Sequence, residues 1–259
     1  MTIKADIDKK IPDSLKEYFK KIPKAALAFS GGVDSSYLLY AAAACGVKVH
    51  AYYVKSQFQP QFELGDAQRI AEQVGAEMTI IPLDALKNAK VVENPCDRCY
   101  YCKQVIFNEI LKKAQSDGYN VLMDGTNASD DAGDRPGMKA LRELNVLSPL
   151  RESGITKLQV REASKNAGLF TWDKPAYACL ATRIPHGTAL GADTLMKVEK
   201  AENKLFDMGF TDFRARVLGD GVKLQLPAGQ FEKLLGCREQ IVKELSVYFK
   251  DVLLDLKAR

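Results

Sequence analysis

The chain has few of the residues on which several common kinds of site depend. It contains only two histidines, His50 and His186, so acid–base chemistry based on imidazole has little to work with. No run of about 18 apolar residues occurs, which predicts that no helix spans a membrane. The N-terminal segment is amphipathic and mixed in charge and lacks the apolar centre of a secretion signal. We therefore expect a cytoplasmic protein without a membrane partner.

Composition and length describe an ordinary globular protein. The hydrophobic share of 46% and a mean hydropathy of −0.19 are those of a soluble chain, and 259 residues suit two domains. The net charge of +4 is a mild cationic bias. This bias suits small polyanionic ligands and gives little support to a nucleic-acid partner.

The most informative segment is the serine- and glycine-rich turn at residues 30–36. It follows an apolar run at 25–29 that predicts a buried strand, and it precedes a helix predicted over 35–44. Glycines at such a turn let the backbone approach a ligand, and the free N–H groups of the helix start attract anions. Asp34 suits either a Mg²⁺ ion or a helix cap. A plain Gly-Gly turn with a serine cap is the alternative. The residues that would bind a nucleotide here, with Asp34 beside its metal ion rather than on a bare phosphate, are Ser30, Gly31, Gly32, Asp34, Ser35 and Ser36.

Strand and helix patterns alternate through the first part of the chain. Strands are predicted at 47–54, 77–81 and 119–125, with helices over 61–74, 100–115 and 156–167. Such alternation is typical of a parallel α/β sheet, in which ligands bind at the carboxyl ends of the strands. Asp124 and Gly125, at the end of the fourth strand, should therefore lie near Ser30.

The last part of the chain predicts a small α+β unit. Helix 193–208 ends at Gly209, strands 213–218 and 222–226 form a hairpin, helix 229–247 follows, and a strand is predicted at 251–256. Arg214 and Arg216 alternate on one strand, so their side chains point to the same face. They would bind a phosphate or carboxylate group, or lie on a solvated edge. We expect domains over 1–188 and 189–259.

Cysteines provide the second signal. Cys96, Cys99 and Cys102 form two overlapping C-x-x-C units where a loop meets a helix. This spacing suits an iron–sulfur cluster or a persulfide relay, whereas a closed zinc site would need a fourth ligand. Reduced cysteines without a function are the alternative. Cys45 and Cys237 are interpreted as structural.

A further cysteine, Cys179, lies between a proline and Arg183. The arginine could hold the thiol as a thiolate or grip the α-phosphate of a nucleotide. A buried apolar segment around residues 178–183 is the alternative interpretation.

Several of these segments resemble known families. SGGVDSS after a strand resembles the PP-loop of ATP pyrophosphatases, which cleave ATP between its α- and β-phosphates. Together with other segments it resembles the LarE family of ATP-dependent sulfur transferases. Those segments are CYYCK (99–103), DRPGMKALRE (134–143), KPAYACLATRIPHG (174–187) and GFTDFRARVLGDGVKLQL (209–226).

The resemblance implies a specific activity. Family members adenylate the carboxylates of pyridinium-3,5-biscarboxylic acid mononucleotide and install sulfur, giving the nickel-pincer nucleotide cofactor. In one branch a cysteine gives up its own sulfur, and in another three cysteines hold a 4Fe-4S cluster. The chain resembles the second branch because Cys99 and Cys102 lie where the sacrificial type lacks thiols, and Ala178, next to Cys179, stands in place of the sacrificial cysteine. The implied cluster ligands are Cys99, Cys102 and Cys179, with Cys96 as a rival.

The resemblance also assigns roles outside the cluster. ATP and Mg²⁺ are implied at the PP-loop, with Asp124, Gly125 and Arg183 beside the nucleotide and Asp34 and Cys179 as catalytic residues. A sulfide or another donor would supply sulfur, and the protein is expected to be a homo-oligomer. Arg135 is a candidate anion contact or an ion-pair partner of a neighbouring aspartate. The substrate-binding residues expected are Arg214, Arg216, Glu202 and Arg135.

The chain departs from the family pattern at Gln225 and Lys233, where acidic residues are usual, and in its C-terminal tail. Both departures concern substrate handling, so a related carboxylate or amide is the alternative to the family's pyridinium nucleotide as acceptor. The rival functions are tRNA thiolation by a PP-loop enzyme with a three-cysteine cluster, ATP-dependent amidation fed by ammonia, and a nucleotide-sensing or metal-storage module without catalysis.

Overall fold

The computed structural model describes residues 11–130 and 136–259. These residues form two compact units, each built from several chain segments. The first unit contains residues 11–56, 61–83 and 99–174 with the gap at 131–135, and the second contains 57–60, 84–98 and 175–259. The predicted boundary between 1–188 and 189–259 stays a prediction, since no single point of the sequence separates these units.

The helices and strands follow one another as the alternating pattern predicts. The helices are α1 Asp13–Phe19, α2 Val33–Ala44, α3 Gln61–Val74, α4 Ala89–Val92, α5 Arg98–Ser116, α6 Pro136–Glu143, α7 Pro149–Glu152, α8 Lys157–Asn166, α9 Ala192–Asp207, α10 Phe231–Gly236 and α11 Arg238–Leu245. The strands are β1 Lys24–Ala28, β2 Lys48–Lys55, β3 Glu77–Pro82, β4 Leu122–Met123, β5 Arg214–Leu218, β6 Gly221–Gln225 and β7 Val252–Leu254.

A four-stranded parallel sheet in the order β3-β2-β1-β4 forms the centre of the first unit. Its strands are apolar on both faces: Leu27 and Tyr53 belong to one buried cluster, and Ala26 and Tyr52 belong to the other. A parallel sheet buries both faces because its crossover helices cover them. The predicted α/β class is confirmed.

The fourth strand is much shorter than the predicted 119–125. Only Leu122 and Met123 pair with β1, and the next backbone N–H, of Asp124, donates to the carbonyl of Leu147 at 2.9 Å. Leu147 also forms a parallel bridge with Met123, so the sheet continues through an isolated residue that no periodic pattern signals. The carboxyl end of β4 is therefore fixed from both sides.

Gly125 lies directly after this strand end, against the first turn of α2. A Cβ atom at Gly125 would lie 2.8 Å from the backbone nitrogen of Ser35 and 3.0 Å from its Cα. Real Cβ atoms do not come so close to backbone, so only glycine permits this approach. The contact brings the ends of β1 and β4 together around the start of α2.

The second unit contains a three-stranded sheet in the order β5-β6-β7. The strands β5 and β6 form the predicted antiparallel hairpin, and β7 adds in parallel to β6. The side chains of α9 that face inward are apolar with one exception, Glu202, which is buried. This unit is the smaller α+β part that the sequence predicts.

One predicted helix is broken. The stretch 229–247 consists of a short 3-10 turn, α10 and α11, which meet at Gly236 and Cys237. The Cys237 N–H is shared between the carbonyls of Lys233 and Leu234, both at 3.2 Å, and its Sγ also lies 3.0 Å from the Lys233 carbonyl. A side chain that competes for backbone carbonyls, next to a glycine, favours a break over a continued helix. Within the described ranges, no helix is both long and apolar enough to cross a bilayer.

The approach of Gly125 to α2 makes a direct stability prediction. Gly125→Ala should lower the free energy of unfolding by about 1–3 kcal/mol, because the added methyl group must displace backbone rather than a flexible side chain. Urea unfolding followed by circular dichroism measures the change. Gly65→Ala is the matched control: Gly65 lies within α3 with open space around it. The control should be neutral or more stable by up to about 1 kcal/mol. Equal stability of the two variants would contradict the close approach.

Candidate functional site

The turn between β1 and α2 has the features of an anion-binding helix start. The N-cap residue Gly32 provides no side-chain acceptor for the first N–H groups of α2. Two hydroxyl groups face each other across the turn, with Ser30 Oγ 3.0 Å from Ser35 Oγ. Gly31, at a φ of +71°, turns the chain here, and a Cβ on it would lie 2.9 Å from the Cβ of Ala67 in α3. The helix start, its dipole and the hydroxyl groups together favour a phosphate group.

A cavity of about 280 Å³ opens beside this turn, within the first unit. It lies where the carboxyl ends of β1 and β4 meet, the position at which parallel α/β sheets bind ligands. Six residues predicted for nucleotide binding line it together: Ser30, Gly32, Asp34, Ser35, Asp124 and Gly125. The other lining residues are Ala28, Lys103, Phe107, Thr126 and Asp130.

Asp34 is the carboxylate of α2 that faces this cavity. Its Oδ2 lies 2.5 Å from Lys157 Nζ, and its Oδ1 accepts a hydrogen bond from Asn127 Nδ2 at 3.3 Å. Burial raises the pKa of Asp34 above its ordinary value, and the charge of Lys157 acts in the opposite direction. The carboxylate is thus partly desolvated and balanced by one lysine.

Asp124 is held by its own neighbours. Its Oδ1 accepts hydrogen bonds from the Thr126 backbone at 3.2 Å and from Ser148 Oγ at 2.7 Å, and its Oδ2 accepts one from Thr126 Oγ1 at 2.5 Å. These three neutral donors hold the carboxylate group in position. The role of Asp124 in the structure is to fix the loop after β4 at the edge of the cavity.

Lys103 is a cavity residue that the sequence-based site did not include. Burial lowers the pKa of Lys103, while the charges of Asp124, Cys99 and Asp130 counteract this shift. Gly137 leaves room for its side chain, since a Cβ there would lie 3.1 Å from Lys103 Cδ. Lys103 directly follows Cys102 and lies one helical turn after Cys99, so its place in the cysteine segment was the available signal.

The cysteines are divided between the units. Cys99 and Cys102 lie three residues apart at the start of α5 in the first unit, whereas Cys96 and Cys179 belong to the second. None of the six, all within the described ranges, forms a disulfide. Over residues 11–130 and 136–259, no three His, Cys, Asp or Glu side chains form a group that could hold a metal ion. A shared cluster of Cys99, Cys102 and Cys179 stays a prediction.

Arg183 and Glu202 form a buried ion pair in the second unit. Arg183 donates from Nε to one oxygen of Glu202 at 2.8 Å and from Nη2 to the other at 3.0 Å, and both side chains are almost fully buried. Glu202 also accepts hydrogen bonds from the Tyr177 hydroxyl and from the Ala215 backbone. The bidentate pair connects the loop after residue 175 to α9 and β5. A role of Arg183 at the ATP α-phosphate stays a prediction.

Arg214 and Arg216 lie on β5, close enough to Arg183 to interact with its charge. Arg214 donates to the carbonyls of Phe213 and Ala176, both at 2.6 Å, and Arg216 donates to the Thr182 carbonyl at 2.7 Å and to Gln225 Oε1. Burial, with the nearby charges of Arg183 and Arg259, lowers the pKa of Arg214 to about 10. The pKa of Arg216 is lowered for the same reasons. Crowded cations of this kind favour an anionic partner.

Comparisons with known proteins decide the family. The family model described as queuosine biosynthesis protein QueC matches residues 24–95, which include the β1–α2 turn. The chain is 31% identical over 240 residues to pyridinium-3,5-bisthiocarboxylic acid mononucleotide synthase of Lactiplantibacillus plantarum, covering 92% of this chain and 87% of the relative. It belongs to the LarE family.

The chain is also similar to other proteins. An uncharacterised protein of Synechocystis is 34% identical over 86% of the chain and 84% of its own length. The tRNA-specific 2-thiouridylase MnmA of Thermotoga maritima is 25% identical over 56% of the chain and 52% of its own length. As a member of the LarE family with a PP-loop segment, the chain is an ATP-dependent enzyme of the sulfur-transferase type. The predicted family and enzyme class are confirmed.

Some predicted residues stay outside the cavity. Ser36 is fully buried in α2, and among the described residues its hydroxyl has no hydrogen-bond partner; neither it nor Gly31 lines the cavity. Arg135 lies outside the described residues. Conversely, sequence reasoning missed three residues: Lys103, although it lies in the CYYCK segment, and Asn127 and Lys157, which belong to no motif.

The buried pair of Arg183 and Glu202 predicts a large effect of neutralising one partner. Glu202→Gln leaves the buried guanidinium without its counter-charge, so the free energy of unfolding should fall by about 3–5 kcal/mol. Thermal unfolding at neutral pH measures the loss. Glu244→Gln is the matched control, because Glu244 pairs with Lys204 at 2.9 Å in a solvent-exposed position. The control should cost no more than about 1 kcal/mol. Similar losses in both variants would show that the buried pair does not contribute as described.

Proposed function

We propose that the protein binds MgATP in the first-unit cavity, adenylates a substrate carboxylate with release of pyrophosphate, and replaces an oxygen of that carboxylate by sulfur. The observation that carries the proposal is the cavity itself, where an uncapped helix start, two hydroxyl groups and Asp34 face the same space. The acceptor proposed is pyridinium-3,5-biscarboxylic acid mononucleotide, by analogy with the name of the Lactiplantibacillus plantarum relative.

The phosphate chain would lie along the start of α2. The backbone N–H groups there and the hydroxyls of Ser30 and Ser35 would donate to phosphate oxygens, and Lys103, which lines the same cavity, would add a positive charge. These donors stabilise the negative charge that develops on pyrophosphate as it leaves. The substrate carboxylate attacks the α-phosphorus, the bond to the bridging oxygen breaks, and an acyl adenylate forms.

The donor set suits Mg²⁺. This ion is usually held by one or two carboxylates together with the phosphates of its nucleotide, and it prefers oxygen ligands. Asp34 and Asp130 both line the cavity and would hold it. When bound, the ion neutralises the leaving pyrophosphate.

Sulfur transfer follows from the acyl adenylate. A sulfur nucleophile attacks the acyl carbon, the carbon–oxygen bond to AMP breaks, and a thiocarboxylate is the product. Hydrosulfide from an external donor provides the sulfur atom and loses its proton in the transfer; Cys179 is proposed as the catalytic thiol, and with Cys99 and Cys102 it would hold the 4Fe-4S cluster. The described residues form no group of three metal ligands, so the 4Fe-4S cluster is proposed as a bound group only.

The second unit would hold the phosphate of the mononucleotide. Arg214 and Arg216 point to one face of β5, and burial, together with the positive charges of Arg183 and Arg259, lowers the pKa of both. An anion relieves this repulsion, which gives the pair a reason to bind phosphate. Glu202 supports this site through its contacts with Arg183 and the Ala215 backbone. We also propose that the enzyme is a homo-oligomer in the cytoplasm.

A tRNA-thiolating enzyme is the second candidate, favoured by the MnmA relatives, which cover about half of the chain. The two functions differ in their macromolecular partner. Thiolation of tRNA requires binding of RNA that weakens steeply with salt. Absence of such binding, with carboxylate-dependent pyrophosphate release, would support the LarE-type reaction.

Asp34→Asn tests the nucleotide site. Loss of the carboxylate that orients the metal should reduce pyrophosphate release by about a hundred-fold or more. Malachite-green detection after pyrophosphatase treatment measures the rate. Asp193→Asn is the matched control, because Asp193 also lies in the first turn of a helix after a glycine N-cap and is exposed. Normal release by Asp34→Asn, or equal loss in both variants, would contradict the assignment.

Single cysteine variants test the sulfur chemistry. After anaerobic purification, Cys99→Ser, Cys102→Ser and Cys179→Ser should lose iron and thiocarboxylate formation but retain pyrophosphate release, because adenylation precedes sulfur transfer. Iron and sulfide analysis and product mass spectrometry provide the readouts, with Cys96→Ser as the rival ligand and Cys45→Ser and Cys237→Ser as controls. Wild-type iron content in all four ligand variants would show that the cluster proposal is wrong.

A further inference from the structure

A closed ring of hydrogen bonds surrounds the Asp34 carboxylate in the first unit. Asn127 Nδ2 donates to Asp34 Oδ1 at 3.3 Å, and the Ser129 backbone donates to Asn127 Oδ1 at 2.8 Å. The Lys157 backbone donates to Ser129 Oγ at 2.9 Å, and Lys157 Nζ returns to Asp34 Oδ2 at 2.5 Å. The ring connects α2, the loop after β4 and the first residue of α8.

Lys157 is the member of this ring that can leave without disturbing the others. Its backbone holds α8 in place through Ser129, and Thr156 caps the same helix. Its ammonium group, in contrast, is at the end of a long side chain that is 34% exposed. The contact with Asp34 can therefore break while the loop and helix stay in position.

Asp34 differs from the other carboxylates of the cavity in its partner. Asp124 is satisfied by Thr126 and Ser148, and Asp130 accepts from the Asn127 backbone at 2.9 Å. Those donors are neutral, whereas the ion pair of Asp34 is with a full positive charge. A divalent cation on Asp34 would lie beside that ammonium group and repel it, because like charges at such short range interact strongly in a partly buried site.

We propose that Lys157 and the divalent cation compete for the Asp34 carboxylate, so that metal binding exchanges one cation for the other. This exchange weakens binding of the metal alone and favours binding of metal and nucleotide together, since phosphate oxygens can accept the released ammonium group. This proposal rests on the proposed function, because it uses the same metal site at Asp34. It assigns to Lys157 a positioning role that links metal loading to the nucleotide.

Titration of the full-length protein with Mn²⁺ alone, followed by electron paramagnetic resonance of the free ion, tests the competition. Lys157→Gln should bind Mn²⁺ roughly ten-fold more tightly than wild type, because the competing charge is gone. Lys157→Arg should resemble wild type, and Asp34→Asn combined with Lys157→Gln should lose the gain. Lys165→Gln is the matched control: Lys165 lies on the same helix, 4.6 Å over the Trp172 ring. Unchanged or weaker Mn²⁺ binding by Lys157→Gln overturns the proposal.

A measurement on the wild type covers the case in which a variant does not fold. In uniformly ¹³C,¹⁵N-labelled wild type, Mg²⁺ should shift the Cε resonance of Lys157, assigned through correlation with its own backbone, and leave that of Lys165 in place. No shift at saturating Mg²⁺ would contradict the exchange. Neither titration uses ATP or a carboxylate substrate, so failure of the exchange and failure of pyrophosphate release are separate results.

Discussion

The contact of Gly125 with the first turn of α2 is the constraint on which the candidate site depends. A side chain at this position would meet the Ser35 backbone, so only a glycine after β4 lets that strand end reach the helix start. The approach places Asp124 and the following loop opposite Ser30 and Asp34, and the cavity is the space left between them. The loop places Asn127 beside Asp34, and it places Ser129 beside the first residue of α8. A local requirement for one residue type thus determines where four chain segments meet.

Positively charged side chains are held differently in the two units, and this difference agrees with the ligands proposed for each unit. In the first unit, three aspartates and Lys103 line a cavity, and the ammonium group of Lys157 pairs with one of these aspartates, Asp34, from a flexible side chain that can move to another anion. In the second unit, Arg183 is fixed by two hydrogen bonds to Glu202, and Arg214 by two backbone carbonyls. Exchangeable cations suit a nucleotide that arrives with a metal and leaves as pyrophosphate and AMP. Fixed cations suit a phosphate that only anchors its substrate.

Periodicity and turn chemistry predicted most of the fold. The parallel sheet, the helix after Ser30 and the β5–β6 hairpin follow from apolar runs and glycine positions, which are local signals. The short length of β4 does not follow from local signals, because its edge is completed by Leu147 from a distant part of the chain. The break at Gly236 and Cys237 depends on a thiol contact with a backbone carbonyl, which propensity does not reveal. In the site, the PP-loop residues form a motif, whereas Lys103, Asn127 and Lys157 come together only through tertiary structure.

The central claim is that a substrate carboxylate attacks the α-phosphorus of ATP bound in the first-unit cavity. Incubation with MgATP, sulfide and pyridinium-3,5-biscarboxylic acid mononucleotide labelled with ¹⁸O in its carboxylates tests this claim most directly. Mass spectrometry of the products should find one heavy oxygen in AMP, because the attacking carboxylate oxygen leaves with the adenylate when sulfur replaces it. Unlabelled AMP, with the label in pyrophosphate or phosphate, would contradict adenylation and the account built on it.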